Sequence, residues 1–222
     1  MGKLLLLLLL LGQVSLGQNK SLHIPRYSNG DTSFWYSYKL EKDSIWALTK
    51  LETSKEYFHF RFRTEIQTID ILVDSNLLTQ GTITNIGEFI SERSNKKDAK
   101  IYKEIRPLES DLANELKKLI DSLDLKNISS EENIPGWGKM LDGITYLIEF
   151  SSPSGYSLKY YGNPESQKNI IEAEKIDLLV EFLDKKLKRQ NSWLTFISTL
   201  PKGCYHAGSY YATCNSKKKK RN

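Results

Sequence analysis

Twenty-seven carboxylates, three histidines and two cysteines give this chain its chemical reach. Their spacing assembles no familiar reaction centre. A nucleophilic serine is announced by G-x-S-x-G on a sharp strand-to-helix turn, and Ser209 after Gly208 lacks those flanks. No G-x-x-x-x-G-K-[ST] or G-x-G-x-x-G loop is present to cradle phosphate, and no H-E-x-x-H to hold zinc. His23, His59 and His206 are widely dispersed, so the sequence implies neither metal nor cofactor. Carboxylates offer more. A glycosidase uses two of them roughly 5 to 9 Å apart in a cleft, and Asp70, Asp142 and Glu149, in or beside predicted strands and turns, are the candidates. Asp142 before Gly143 also reads as an ordinary turn former.

A second constellation lies in one strand. From Glu56 to Arg63, Phe58, Phe60 and Phe62 alternate with Tyr57, His59, Arg61 and Arg63. With period 2 the phenylalanines face a core and the polar set shares the opposite face. Neighbouring strands would ordinarily answer those cations with carboxylates, Glu65 and Asp70 being close in the chain. If no helix covered the stripe, Arg61 and Arg63 could instead grip a carboxylate or phosphate, with Tyr57 as a flat wall. Trp35, among Phe34, Tyr36 and Tyr38, and Trp137, between Gly136 and Gly138, are candidates for stacking on sugars or peptides. Alternate residues of a strand point inward, however, so part of that set belongs to the core.

Cys204 and Cys214 form an isolated close pair, most simply a disulfide in an oxidising compartment. Zinc would need more ligands than His206 adds, and redox chemistry would prefer C-x-x-C. Tyr205, His206, Tyr210 and Tyr211 crowd this loop, as in a binding loop or an ordinary terminal cap.

The elements that must position these residues begin after a leader. Lys3, the leucine run Leu4–Leu11 and the small residues Ser15 and Gly17 match a cleavable secretory signal over 1–17, leaving Gln18 as the new N-terminus. Later apolar stretches are interrupted by charges, so no transmembrane segment is expected after cleavage. Residues 18–214 read as one α+β domain, with an irregular lead-in at 18–32 and the disulfide loop at 204–214. Strands are predicted at 33–40, 45–51, 56–63, 66–73, 82–90 and 100–105. A helix follows Pro107, with Leu108, Leu112, Leu116, Leu119, Ile120 and Leu123 on one face. A hairpin turning at 152–155 comes next, then a helix from Asn163-Pro164 to about Arg189, and a last strand over 193–200. This order predicts a largely antiparallel sheet with two main helices packed on one face.

The formal net charge of +5 misleads. Lys3 leaves with the leader and Lys217–Arg221 carry five more positive charges, so the body is nearly neutral. Nucleic-acid binders carry their charge on a folded face, and that partner class is excluded. The tail over 215–222 is expected to be disordered and to touch anionic envelope surfaces weakly.

Two segments, Phe60–Asp70 and the pair Gly136–Lys139 with Leu141–Tyr146, resemble stretches in uncharacterised secreted single-domain proteins of Bacteroidota-type bacteria. The resemblance covers most of the chain after the leader. It implies the compartment and a single domain, and assigns no activity or catalytic residue. The expectation is a secreted or periplasmic, non-catalytic binding protein. The alternative is a carboxylate-dependent hydrolase of glycan or peptide, which would show a pocket with two close carboxylates, one held protonated.

Overall fold

The computed structural model describes residues 20–27, 29–90, 100–138, 142–208 and 212–215. The expected leader, the start at Gln18, Tyr210, Tyr211 and the basic tail from Ser216 lie outside the described residues. The fold is α+β, as the element order predicts. Nine strands make a sheet in the order β1-β7-β6-β2-β3-β4, continuing to β8 and β9, with β5 also on β4. They are β1 (Ser21–His23), β2 (Phe58–Arg63), β3 (Gln67–Val73), β4 (Thr79–Ile90), β5 (Ile101–Pro107), β6 (Thr145–Ser152), β7 (Gly155–Gly162), β8 (Gly203–His206) and β9 (Ala212–Asn215). All pairings are antiparallel except β1 with β7. The helices are α1 (Phe34–Ile45), α2 (Ser110–Ser122), α3 (Ile171–Leu187) and α4 (Arg189–Thr199).

Alternation along β2 places Phe60 and Phe62 on one face beside Ile69 and Ile71 of β3, Ile83 of β4, and Ile148 and Phe150 of β6. Ala113, Leu116 and Ile120 of α2 and Ala173, Ile176, Leu179 and Leu183 of α3 cover that face. Each Leu, Ile or Phe side chain among them contributes about 1.5–3 kcal/mol on full burial. Close approach of α2 needs Gly81, where an added Cβ would come within 2.9 Å of Leu108 Cδ1 and 3.1 Å of Ala113 Cβ.

Three expectations are corrected. The aromatic run at 33–40 is helix α1, and 45–51 holds the end of that helix and a loop, followed by a 3-10 turn at Leu51–Thr53. Aromatic residues favour strands only where a pleated surface suits them; here Lys39 and Asp43, four apart, bind each other and the sheet. Residues 193–200 are mostly α4 rather than a strand, since Trp193, Phe196, Ile197 and Leu200 follow helical spacing into a cluster with Tyr205. The long helix begins at Ile171, after a 3-10 turn at Pro164–Ser166, and ends at Leu187, where Lys188 takes left-handed geometry at φ 47°. The lead-in also contains β1. As expected, α2 and α3 share one face, but α1 covers part of the other. Its C-terminal carbonyls, on Trp46 and Ala47, accept from Lys103 Nζ at 3.1 and 3.2 Å.

Candidate functional site: a charged sheet face and two openings beside it

The stripe predicted on β2 forms, and α1 lies over it. Arg63 is 1% exposed; His59 and Arg61 are also buried, whereas Tyr57 is 61% exposed. Arg63 Nη2 donates to the Asp43 carboxylate of α1 and, at 3.5 Å, to Glu149 Oε1 of β6. Lys39 Nζ sits 3.0 Å from Asp43 Oδ2, 3.3 Å from Glu149 Oε2 and 2.5 Å from Glu52 Oε1. Tyr156 O–H donates to Glu149 Oε2 at 2.9 Å. Burial pulls the Lys39 ammonium down, but Glu149, Asp43 and Glu52 outweigh it and hold it above the ordinary lysine value. Burial and the Glu149 charge push the Tyr156 hydroxyl far up, so it stays a neutral donor. An anion site on this stripe required an uncovered face, and the guanidinium of Arg63 is already committed within the protein.

Asp70 answers Arg61 from β3, directly across the strand register. Its Oδ1 accepts from Arg61 Nε at 2.7 Å and meets His59 Nε2 at 2.9 Å, while Thr68 O–H reaches Oδ2 at 3.4 Å. Arg61 Nη1 donates to Thr49 O at 2.9 Å. Burial opposes the Asp70 charge, but Arg61 and the bond from His59 prevail and hold the carboxyl below its ordinary value of 3.8. Ser54, in the loop after the 3-10 turn, places Oγ 3.4 Å from His59 Nδ1. A cleft of about 380 Å³ opens over Ser54, His59, Arg61 and Asp70, with Lys55 and Lys103 on its walls.

The carboxylate-pair chemistry meets a different arrangement. Asp70 and Glu149 both lie opposite Arg61, one on each side, so a full strand separates them. Two strand spacings put their backbones about 9.5 Å apart, with a guanidinium between. Asp70 is held ionised by Arg61 and is not poised as a protonated acid. Asp142 is exposed, and its carbonyl accepts from Asn163 Nδ2. Trp35 packs edge-on against Tyr38 with ring centres 5.6 Å apart. Trp137 leans on Tyr161 and donates its Nε1–H to Gly162 O at 3.2 Å. The structure brings neither tryptophan to the stripe.

A larger groove, about 960 Å³, lies at the hairpin end of the sheet. Tyr57, Phe58, Phe150 and Tyr156 supply its aromatic lining, and the loop Ser152–Gly155 one rim. Lys117, Lys126, Lys159 and His23 also line it, and no carboxylate does among the described lining residues. Lys117 Nζ lies 4.4 Å above the Phe58 ring and pairs with Asp121. Lys126 is exposed and makes no ion pair among the described residues. Lys159 is buried on the apolar face of the sheet. Its Nζ donates to Leu125 O at 3.0 Å and to Lys126 O, and lies 5.1 Å from the Phe150 ring centre. Burial lowers its ammonium to about 8.

Cys204 and Cys214 are joined across the β8–β9 hairpin. Tyr205 is buried against Phe89 and Tyr102, whereas His206 is exposed. Among the described residues no group of three or more His, Cys, Asp or Glu could hold a metal ion, and no helix is long and apolar enough to cross a membrane. Sequence reasoning missed Lys39, Asp43, Glu52, Ser54 and Lys159. The first two carried a signal, their four-residue spacing; the others come into place only through tertiary contacts. No protein-family model matches the chain, and no curated protein matches it.

Proposed function

We propose that this chain is an extracytoplasmic binding protein whose hairpin-end groove takes an anionic ligand with an apolar or flat portion. One observation carries the reading: three lysines and a histidine line the groove with no opposing carboxylate among its described lining residues. Lys117 is paired with Asp121 and Lys126 has no ion pair among the described residues; positive charge of this kind in a concave, partly apolar wall focuses an anion and raises its local concentration. Tyr57 supplies the flat wall that the β2 stripe was expected to use. The disulfide and the resemblance to secreted proteins support the compartment. Because the Lys159 ammonium is held near 8, an anion beside it favours the protonated form, and binding draws in a proton above that pH.

Calorimetric titration with a medium-chain alkyl sulfate and with a sulfated disaccharide tests the reading. At least one should bind with an affinity that falls with salt and drops about tenfold in Lys117→Gln/Lys126→Gln, a loss of about 1.4 kcal/mol. Binding that ignores both salt and the double substitution would remove the groove as an anion site.

A further inference from the structure

Ser54, His59 and Asp70 have no part in that groove, and they form a nucleophile–base–orienter series. The sequence separates them by five and eleven residues, and the turn between β2 and β3 closes the distance. From the contacts of His59 with both partners, at 3.4 and 2.9 Å, and the cleft that opens over them, we propose that Ser54, His59 and Asp70 constitute a nucleophilic relay cleaving small acyl esters. The inference is independent of the anion groove.

The Asp70 carboxylate accepts the Nε2–H of His59, which fixes the tautomer whose Nδ1 lone pair faces Ser54. In the reaction Ser54 Oγ attacks the ester carbonyl carbon while its proton passes to His59 Nδ1. The C–O bond to the alcohol then breaks, and His59 returns the proton to that oxygen. Water attacks the acyl-serine next, gives a proton to His59 and releases the carboxylic acid with Ser54 restored, so ester and water give acid and alcohol. The imidazolium formed midway stands 2.9 Å from an anion that Arg61 keeps ionised. Arg61, bonded to both Asp70 and Thr49 O, is a positioning residue for the relay.

Charge developing on the carbonyl oxygen needs a donor beside the nucleophile. The residue after a nucleophilic serine is a customary source of that N–H. Lys55 holds this position, and its N–H has no acceptor among the described residues. The serine–histidine contact is longer than the roughly 2.6–3.2 Å of a working pair, which is common before substrate tightens it. A cleft of about 380 Å³ admits only a small acyl group, near the lower end of the roughly 300–1,000 Å³ range of ligand pockets.

The experiment combines labelling of the purified full chain with a fluorophosphonate and hydrolysis of p-nitrophenyl acetate. The expected result is one adduct, mapped to Ser54, and an esterase rate that falls at least 100-fold in Ser54→Ala and in His59→Gln. Ser54→Ala touches a half-exposed loop residue, so it stays informative if His59→Gln folds poorly. Absence of an adduct at Ser54, or a Ser54→Ala protein as active as the parent, overturns the proposal. So does labelling of Ser54 at an unchanged rate in folded His59→Gln, because the serine would then act without its base.

Discussion

The same strands hold their two faces by opposite means. On the face under α2 and α3, Phe60, Phe62, Ile69, Ile71 and Ile148 meet aliphatic and aromatic side chains, and the buried cations beside them, Lys159 and Arg189, stack on Phe150 and Phe62. On the face under α1, Arg61, Arg63 and Glu149 alternate with those apolar residues: Arg61 meets Asp70, Arg63 meets Asp43 and Glu149, and Lys39 bridges Asp43, Glu52 and Glu149. Apolar packing is graded: removing a methylene loses a fraction of the contact area. Ion pairing out of water is all-or-none, because each charge was desolvated on the strength of its partner. One face therefore tolerates small errors, and the other does not.

The largest effect should come from half-breaking the charged face. Arg63→Met leaves Asp43 and Glu149 short of a cation, and chemical denaturation should show a loss of about 3–5 kcal/mol. Adding Asp43→Leu should restore part of it. Ile71→Val, directly behind that face, should cost only about 0.5–1.5 kcal/mol. If Arg63→Met proves no worse than Ile71→Val, the two faces do not differ as described.

Changing pH separates the faces without a substitution. Asp70 holds its folded carboxyl below 3.8, so its contribution is complete above that value and disappears as pH falls through the folded value. Lys39, raised above 10.5, contributes fully below 10.5, and that part disappears as pH climbs through its folded value. Thermal melts across pH should show both limbs, and Asp70→Asn should flatten the acid one. An acid limb unchanged in Asp70→Asn would place its origin elsewhere.

A smaller effect sharpens the contrast from the apolar side, where Lys159 is a charge without a carboxylate partner in the ion-pair sense. Its ammonium falls from 10.5 to about 8, so the folded state loses its proton before the unfolded state does. Stability attributable to it rises with pH between those values and is lowest below 8. Lys159→Met removes a penalty of up to about 3 kcal/mol. It also leaves the Leu125 and Lys126 carbonyls short of a donor, so a net gain of about 1 kcal/mol at pH 7 is expected. A drop in melting temperature would mean the carbonyl bonds dominate. Smallest of all, Tyr57→Ala should move stability by less than about 0.5 kcal/mol while weakening groove ligands.

This contrast also explains what the sequence disclosed. Period-2 alternation at 58–63 was plain because the phenylalanines mark the apolar face, and cross-strand logic then named Asp70 as a partner. Helix α1 was not plain. Its inward residues include Lys39 and Asp43, which hydrophobic patterning reads as outward, and its aromatics favour strands in the abstract. The period of α4 was present in Trp193, Phe196, Ile197 and Leu200, but eight residues rich in β-branched and aromatic types read equally as a strand. Ser54 gave no signal, since a serine in a polar loop is the commonest of turn residues and only the meeting with His59 distinguishes it.

The central position of β2 has a consequence for how the chain comes together in time. Phe60 pairs with Phe150, β1 lies parallel to β7 at the far edge, and β4 accepts β8 near the C-terminus. Strand β2 meets β3 locally, but its other neighbour β6, and the partner β7 of β1, come only after most of the chain has been delivered. Such long-range closures slow the search for the native topology. A chain that emerges N-terminus first holds Arg61 on Asp70 early, but leaves Lys39 and Arg63 short of Glu149 until β6 arrives, and a truncation before Thr145 would strand half a sheet with an open edge.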